Sequence, residues 1–184
     1  MEYRKRFKAY KFFAHLLDYP YDKTFFEKLE EFYPFDDRTP IKELKKVPLG
    51  ELQAEYTSLF EVKPGGTPCK PYQSVFAERE LMGNAAFETA KYYNLFGLET
   101  GNELPDRANL QLDFAAFLLK AMEETPYVDD KKKLSVLFKD FFKKHLMWME
   151  QLADCVIKNS EIEPLKRLME LFKGFLQEEK KIIS

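Results

Sequence analysis

The sequence predicts an all-α chain folded as a single globular helical domain over residues 1–184. Three observations predict it. Apolar residues recur at helical spacing in segment after segment, no stretch alternates apolar and polar residues for the length of a strand, and prolines interrupt the periodicity at intervals that suit helices. Apolar residues make up 45% of the chain and aromatics 16%, with 18 Phe and 10 Tyr, enough to build a sizeable core and to exclude a disordered or low-complexity chain.

The first helix runs through Tyr3, Phe7, Tyr10, Ala14 and Leu17 and stops at Pro20 in "DYPYD". Asp22 or Thr24 caps a second helix through "FFEKLEEFY", which Pro34 ends. Residues 36–48, "DDRTPIKELKKVP", hold two prolines and mixed charge and are expected to be a polar linker. Leu49, Leu52, Tyr56, Leu59 and Phe60 then mark another amphipathic helix. "EVKPGGTPCKPYQ" carries three prolines and two glycines and suits neither a helix nor a central strand. Residues 61–74 are therefore the expected hinge between N-terminal helices 1–60 and a C-terminal helical part 75–184.

Ser74 is a plausible N-cap, and the apolar positions from Leu81 to Phe96 predict one helix continuing to Gly97. From Pro105 onward Leu110, Leu112, Phe114, Phe117, Leu118 and Met122 cover most of a helix circumference, so this helix is expected at the centre. One long helix is expected over residues 131–157, and a last one opens near Glu163, with Pro164 tolerated in its first turn.

Charge and cysteine usage narrow the function classes. Lys and Arg number 29 against 31 Asp and Glu, and a net charge of -2 argues against nucleic acid as the partner. No apolar run approaches the ~18 residues of a membrane span, so no stable membrane insertion is expected. The N-terminal "MEYRKRFKAYKFFAHLL" keeps Lys8 and Lys11 inside its apolar part and reads as a helix, not a secretory signal. Cys69 and Cys155 form no CxxC pair, and His15 and His145 add no ligand spacing, so no metal site is expected and a reducing, cytoplasmic setting is the default.

Catalytic constellations are equally scarce. His145 and Cys155 lie ten positions apart on one expected helix, about 15 Å at ~1.5 Å per residue, too far for a dyad. "KPGG" at 63–66 lacks both the spacing and the preceding strand of a phosphate loop. No catalytic residue is assigned, and the chain is expected not to be an enzyme. "GNELPDRANLQLDF", residues 101–114, is different: Glu103, Pro105, Asp106 and Arg107 crowd into five positions ahead of an apolar run. Acids there suit the N-terminus of a helix, where exposed N–H groups favour them by about 0.3–1 kcal/mol. The same cluster, with Gln111 and Asp113 inside the apolar run, would also suit a surface that meets a cationic peptide.

Four segments carry a resemblance. "LQAEYTSLF" (52–60), "KPYQSVF" (70–76) with "LMG" (81–83), "ELPDRANLQLDFAAFL" (103–118) and "FFKKHLMWMEQLADCV" (141–156) resemble, in order and spacing, the TorD/DmsD/NarJ family of redox-enzyme maturation chaperones. The resemblance implies a TorD-like helical bundle. It implies a cytoplasmic chaperone that binds the apo form or the twin-arginine signal peptide of a dimethyl-sulfoxide-reductase-type molybdopterin oxidoreductase and assists cofactor insertion, assembly or export. Its partner is then the catalytic subunit of that oxidoreductase or its twin-arginine leader peptide. No cofactor is called for, beyond weak binding of GTP or molybdopterin guanine dinucleotide in the family. A helical scaffold domain with unrelated partners, or a guanine-nucleotide-dependent maturation factor, are the alternatives. As to oligomeric state, both a monomer and a dimer swapped about the hinge fit.

Position by position, Glu103, Pro105 and Asp106 match the family's acidic loop, close to E-x-P-D-H, linked to signal-peptide binding, while Arg107 stands where that motif has His. Tyr72 and Ser74 match a Y-x-S segment beside the expected groove, and Gln111 joins the client-binding set. Tyr56, Phe60, His145 and Trp148 match segments that line the groove or pack behind it. On these expectations Asp106→Ala weakens client binding and leaves thermal stability nearly unchanged.

Overall fold

A computed structural model describes residues 3–61 and 66–183, so Val62, Lys63, Pro64 and Gly65 of the expected hinge, and most of "KPGG", lie outside the described residues. Among the described residues the chain forms ten helices and no strand: α1 (Tyr3–Leu16), α2 (Thr24–Phe32), α3 (Thr39–Leu44), α4 (Leu49–Phe60), α5 (Gln73–Glu78), α6 (Asn84–Asn94), α7 (Ala108–Glu124), α8 (Val128–His145), α9 (Met149–Asn159) and α10 (Glu163–Ile183).

Two central helices organise the bundle. α7 buries Leu112, Phe114, Ala115, Ala116, Leu118 and Leu119 around its circumference, as its all-round apolar character requires. α1 lies along it and buries Ala9, Tyr10, Phe12, Phe13, Ala14 and Leu16, so the first helix is central too. α2 packs against α1, α8 against α7, and α10 against α9 and α3. Aromatic rings knit the layers: Phe13 meets Phe172 at 4.5 Å and Phe175 at 5.6 Å between centroids, and Tyr10 stands edge-on to Phe175 at 4.9 Å. Inside this core the Arg6 guanidinium donates to both oxygens of Glu179, at 2.7 and 2.8 Å, and Tyr10 Oη donates to Glu179 Oε2 at 2.8 Å. Glu179 is fully buried, and the cluster pins α1 to α10.

The structure departs from the sequence expectations at four places. The polar linker 36–48 contains α3, whose Pro40 occupies the first turn and whose Ile41 and Leu44 are fully buried. The helix expected up to Gly97 is broken into α5 and α6. Arg79 and Met82 take positive φ (63° and 60°), and the Glu78 carboxylate turns to accept the N–H groups of Asn84 (2.7 Å) and Ala85 (2.8 Å), capping α6. Gly83 permits that approach, because a Cβ there would come within 2.6 Å of Glu78 Oε2. The long helix 131–157 is also two, α8 and α9, joined at Leu146–Trp148 through tight turns in which Met149 N–H bonds to Leu146 O and Gln151 N–H to Trp148 O. Finally, Cys69 and Cys155 form a disulfide across 86 positions, so the cysteine spacing that suggested a reducing setting gives no such information. Tertiary approach of the 66–72 segment to α9 brings them together.

Among the described residues no helix is long and apolar enough to cross a membrane.

Candidate functional site

The segments "KPYQSVF" and "ELPDRANL" meet. Gln73 N–H donates to Asp106 O at 3.0 Å, Ala108 N–H to Pro71 O at 2.9 Å, and Tyr72 pairs with Arg107 as an isolated antiparallel bridge. Asp106 completes the clasp: its Oδ2 accepts the Ser74 N–H at 2.7 Å. The carboxylate therefore caps α5, across the clasp, and not α7, the helix it precedes in sequence; α7 has no acid in its first turn. Asp106 and Ser74 are both fully buried, and Ser74 Oγ and Asp106 Oδ1 have no hydrogen-bond partner. The expectation that Asp106 can be removed at no cost in stability does not survive this geometry. As packed, neither side chain reaches solvent.

Glu103 and Arg107 are differently placed. They bridge each other at 2.8 Å, the Glu103 side chain 47% exposed and Arg107 only 15%. Burial works against the Arg107 charge, yet Glu103 and the neighbouring oxygens keep its pKa above the usual value. Together they wall a groove of about 370 Å³ whose opposite side comes from the end of α1, the turn after it and the start of α2: His15, Asp18, Tyr19, Tyr21, Phe25 and Lys28. Asn109 closes the floor, donating Nδ2–H to Asp18 Oδ1 at 2.5 Å; its own Oδ1 is buried without a partner. Pro105 lies behind the loop, where its carbonyl accepts Tyr93 Oη at 2.9 Å. The groove thus joins carboxylates with aromatic faces.

Behind the clasp lies a buried polar network that gathers Gln111, His145 and Trp148 with two residues sequence reasoning passed over, Gln73 and Thr89. Gln73 Oε1 accepts Gln111 Nε2–H (2.8 Å) and faces His145 Nδ1 at 2.9 Å, while Trp148 Nε1–H donates to Gln111 Oε1 (2.9 Å) and to His145 O (2.9 Å). Gln73 Nε2–H donates to Lys144 O at 2.8 Å, and Thr89 Oγ1 lies 3.1 Å from both Gln111 Nε2 and His145 Nδ1. Since Gln73 Oε1 can only accept, the bonding assigns the His145 proton to Nδ1 and leaves Nε2 as a buried, unpartnered lone pair. Burial pushes the imidazole pKa down to about 4, with the nearby Lys144 charge acting in the same direction. Tyr56 and Phe60 are core: Tyr56 Oη donates to Leu16 O from a fully buried position, and its ring stands 5.3 Å from Phe60.

The structure therefore separates the sequence-derived set. Glu103 and Arg107 face the groove, Tyr72 flanks it half-buried, and Asp106, Ser74 and Gln111 support it from inside. Asp18, Tyr19, Tyr21 and Asn109 were missed. Asn109 alone carried a signal, as a polar residue in an apolar helix two positions after Arg107. Among the described residues, no three His, Cys, Asp or Glu side chains gather to hold a metal ion.

The family described as nitrate reductase delta subunit matches residues 20–154. The chain belongs to that family. The matched range takes in the clasp, the buried network and the part of the groove that follows Tyr19, and the family is the one the four segments resemble, of NarJ and TorD type. A crystal structure from Archaeoglobus fulgidus, provisionally described as a redox enzyme maturation protein, shares the fold with a TM-score of 0.69 and 28% identity over 96% of this chain and 95% of its own. No curated relative matches.

Proposed function

We propose that the chain is a non-enzymatic, cytoplasmic maturation chaperone. It binds the apo form, or the twin-arginine leader, of a dimethyl-sulfoxide-reductase-type molybdopterin oxidoreductase and assists its cofactor insertion, assembly or export. Membership of the delta-subunit family and the likeness to a protein described as a redox enzyme maturation protein support the class. One observation supports the mode: the Glu103–Arg107 pair stands at the edge of a groove that combines Asp18 and Asp22 with Tyr19, Tyr21 and Phe25. A leader with paired arginines ahead of an apolar run needs carboxylates for the first and ring faces for the second. An incoming guanidinium competes with Arg107 for Glu103, so the internal pair lowers and thereby tunes the affinity of the groove for a cation.

The test is calorimetry with a synthetic peptide of paired arginines followed by an apolar run. Glu103→Gln is expected to weaken binding by about tenfold or more, since the groove loses a carboxylate while the amide oxygen still accepts from the largely buried Arg107. Binding equal to wild type would remove the groove from consideration. A molybdoenzyme subunit is expected to co-purify with the chain, and recovery of unrelated partners alone would overturn the chaperone class. GTP and molybdopterin guanine dinucleotide are expected to give weak heats or none in the same instrument.

A further inference from the structure

We propose that the Cys69–Cys155 disulfide is a thiol–disulfide switch on the client groove, holding its back wall when oxidised and releasing it when reduced. The proposal rests on the groove being the client site. Three residues separate Cys69 from Gln73. In that short run Pro71 O accepts Ala108 N–H, Tyr72 pairs with Arg107, and Gln73 N–H reaches Asp106 O. The stretch 69–74 is thus the support against which the loop carrying Glu103 and Arg107 is set. Among the described residues its upstream anchorage is Cys69 N–H to Leu59 O of α4, the Thr67 hydroxyl to Glu61 O, and the covalent tie to α9. Breaking the tie leaves the support on hydrogen bonds and the packing of its buried side chains.

The two sulfurs are unequal. Cys69 is fully buried, whereas Cys155 is only partly buried and open to attack. A thiolate from a dithiol reductant attacks Cys155 Sγ, the S–S bond breaks, and Cys69 departs as thiolate and takes up a proton. The reductant's second thiol then attacks the mixed disulfide, freeing Cys155 as a thiol and leaving the reductant as its own disulfide. Two electrons pass to the protein. Asn159, one turn beyond Cys155, donates Nδ2–H to Cys155 O at 2.8 Å, and the same nitrogen lies 3.8 Å from Cys69 Sγ and 3.6 Å from Cys155 Sγ, which places its second N–H beside the leaving thiolate.

The test compares the full chain oxidised, the chain reduced with dithiothreitol, and a Cys69→Ser/Cys155→Ser variant without reductant, using amide hydrogen exchange and binding of the paired-arginine peptide. Reduction is expected to release two titratable thiols and to speed exchange at Gln73, Ser74 and Ala108 about tenfold or more, with α10 amides unchanged. Peptide affinity is expected to fall about fivefold, and the double serine variant to match the reduced chain. Unchanged exchange at those three amides overturns the switch, and so does acceleration shared equally by α10, which would make the bridge a general staple. If the oxidised chain ignores the peptide, the client reading fails, while the exchange pattern still decides whether the bridge governs the clasp.

Discussion

Asp106 and His145 show how far a side chain's work can lie from its sequence neighbourhood. With its carboxylate bonded to Ser74 N–H and its carbonyl to Gln73 N–H, Asp106 fastens two segments 32 positions apart. Asp106→Ala is expected to cost about 1–3 kcal/mol in urea denaturation, because a buried N–H loses its partner. A loss within a few tenths of a kcal/mol would mean that water replaces the carboxylate. His145 sets a pH dependence. Its folded pKa of about 4 lies below the unfolded value, so the unfolded chain binds the extra proton and stability falls as pH drops from about 6.5 toward 4. The loss approaches roughly 3 kcal/mol near pH 4 and is absent at neutral pH, where both states hold the neutral ring. Comparing wild type with His145→Gln across that window isolates it: the wild-type curve is expected to be the steeper, and parallel curves would show that the imidazole titrates normally.

At the scale of elements, the helices were largely legible and their breaks were not. Period alone located α1, α2, α4, α7 and α10, and Asp22 caps α2 through Thr24 N–H at 2.8 Å, one of the two caps the sequence offered. α3 was hidden because two prolines and scattered charge mask one buried turn, and the break at Leu146–Trp148 carries no glycine or proline at all. The site was half legible. Its segments could be named, yet that Asp106 caps α5 and that Asp18 bonds to Asn109 depends on approaches no local pattern encodes. The α1–α10 clasp is the extreme case, with Arg6 and Glu179 separated by 173 positions. Each looks like an ordinary solvated charge in sequence. Glu179→Ala is expected to destabilise the chain by about 3–5 kcal/mol, since it strands a buried guanidinium, whereas removing both partners together costs less. Thermal denaturation of the single and double variants reads this directly, and equal losses would show that the guanidinium finds water.

For the whole molecule, two features decide how the bundle behaves as one body. Phe13, Phe172 and Phe175 belong to a core shared by the first and last helices, so α1 and α10 hold the bundle closed, while the support and the Glu103–Arg107 wall of the groove lie on the chain between them. The family resemblance was readable because its segments fall on this inner part of the chain, nearly all of them within the residues 20–154 that match. The disulfide divides the chain along nearly the same line. It encloses residues 69–155, with α5, α6, α7 and α8, in a covalent ring and leaves α1 and α10 outside. Pulled by its two ends in an optical trap, the oxidised chain can surrender only its outer helices to the force. Its fully stretched contour is expected to fall about 300 Å short of the reduced chain, at ~3.5 Å for each of the 86 positions bypassed. Equal contours would mean that the ring never closes in solution. A closed ring makes the chain a tether that yields at both ends and keeps the clasp, with the Glu103–Arg107 wall of the groove, out of reach of the load.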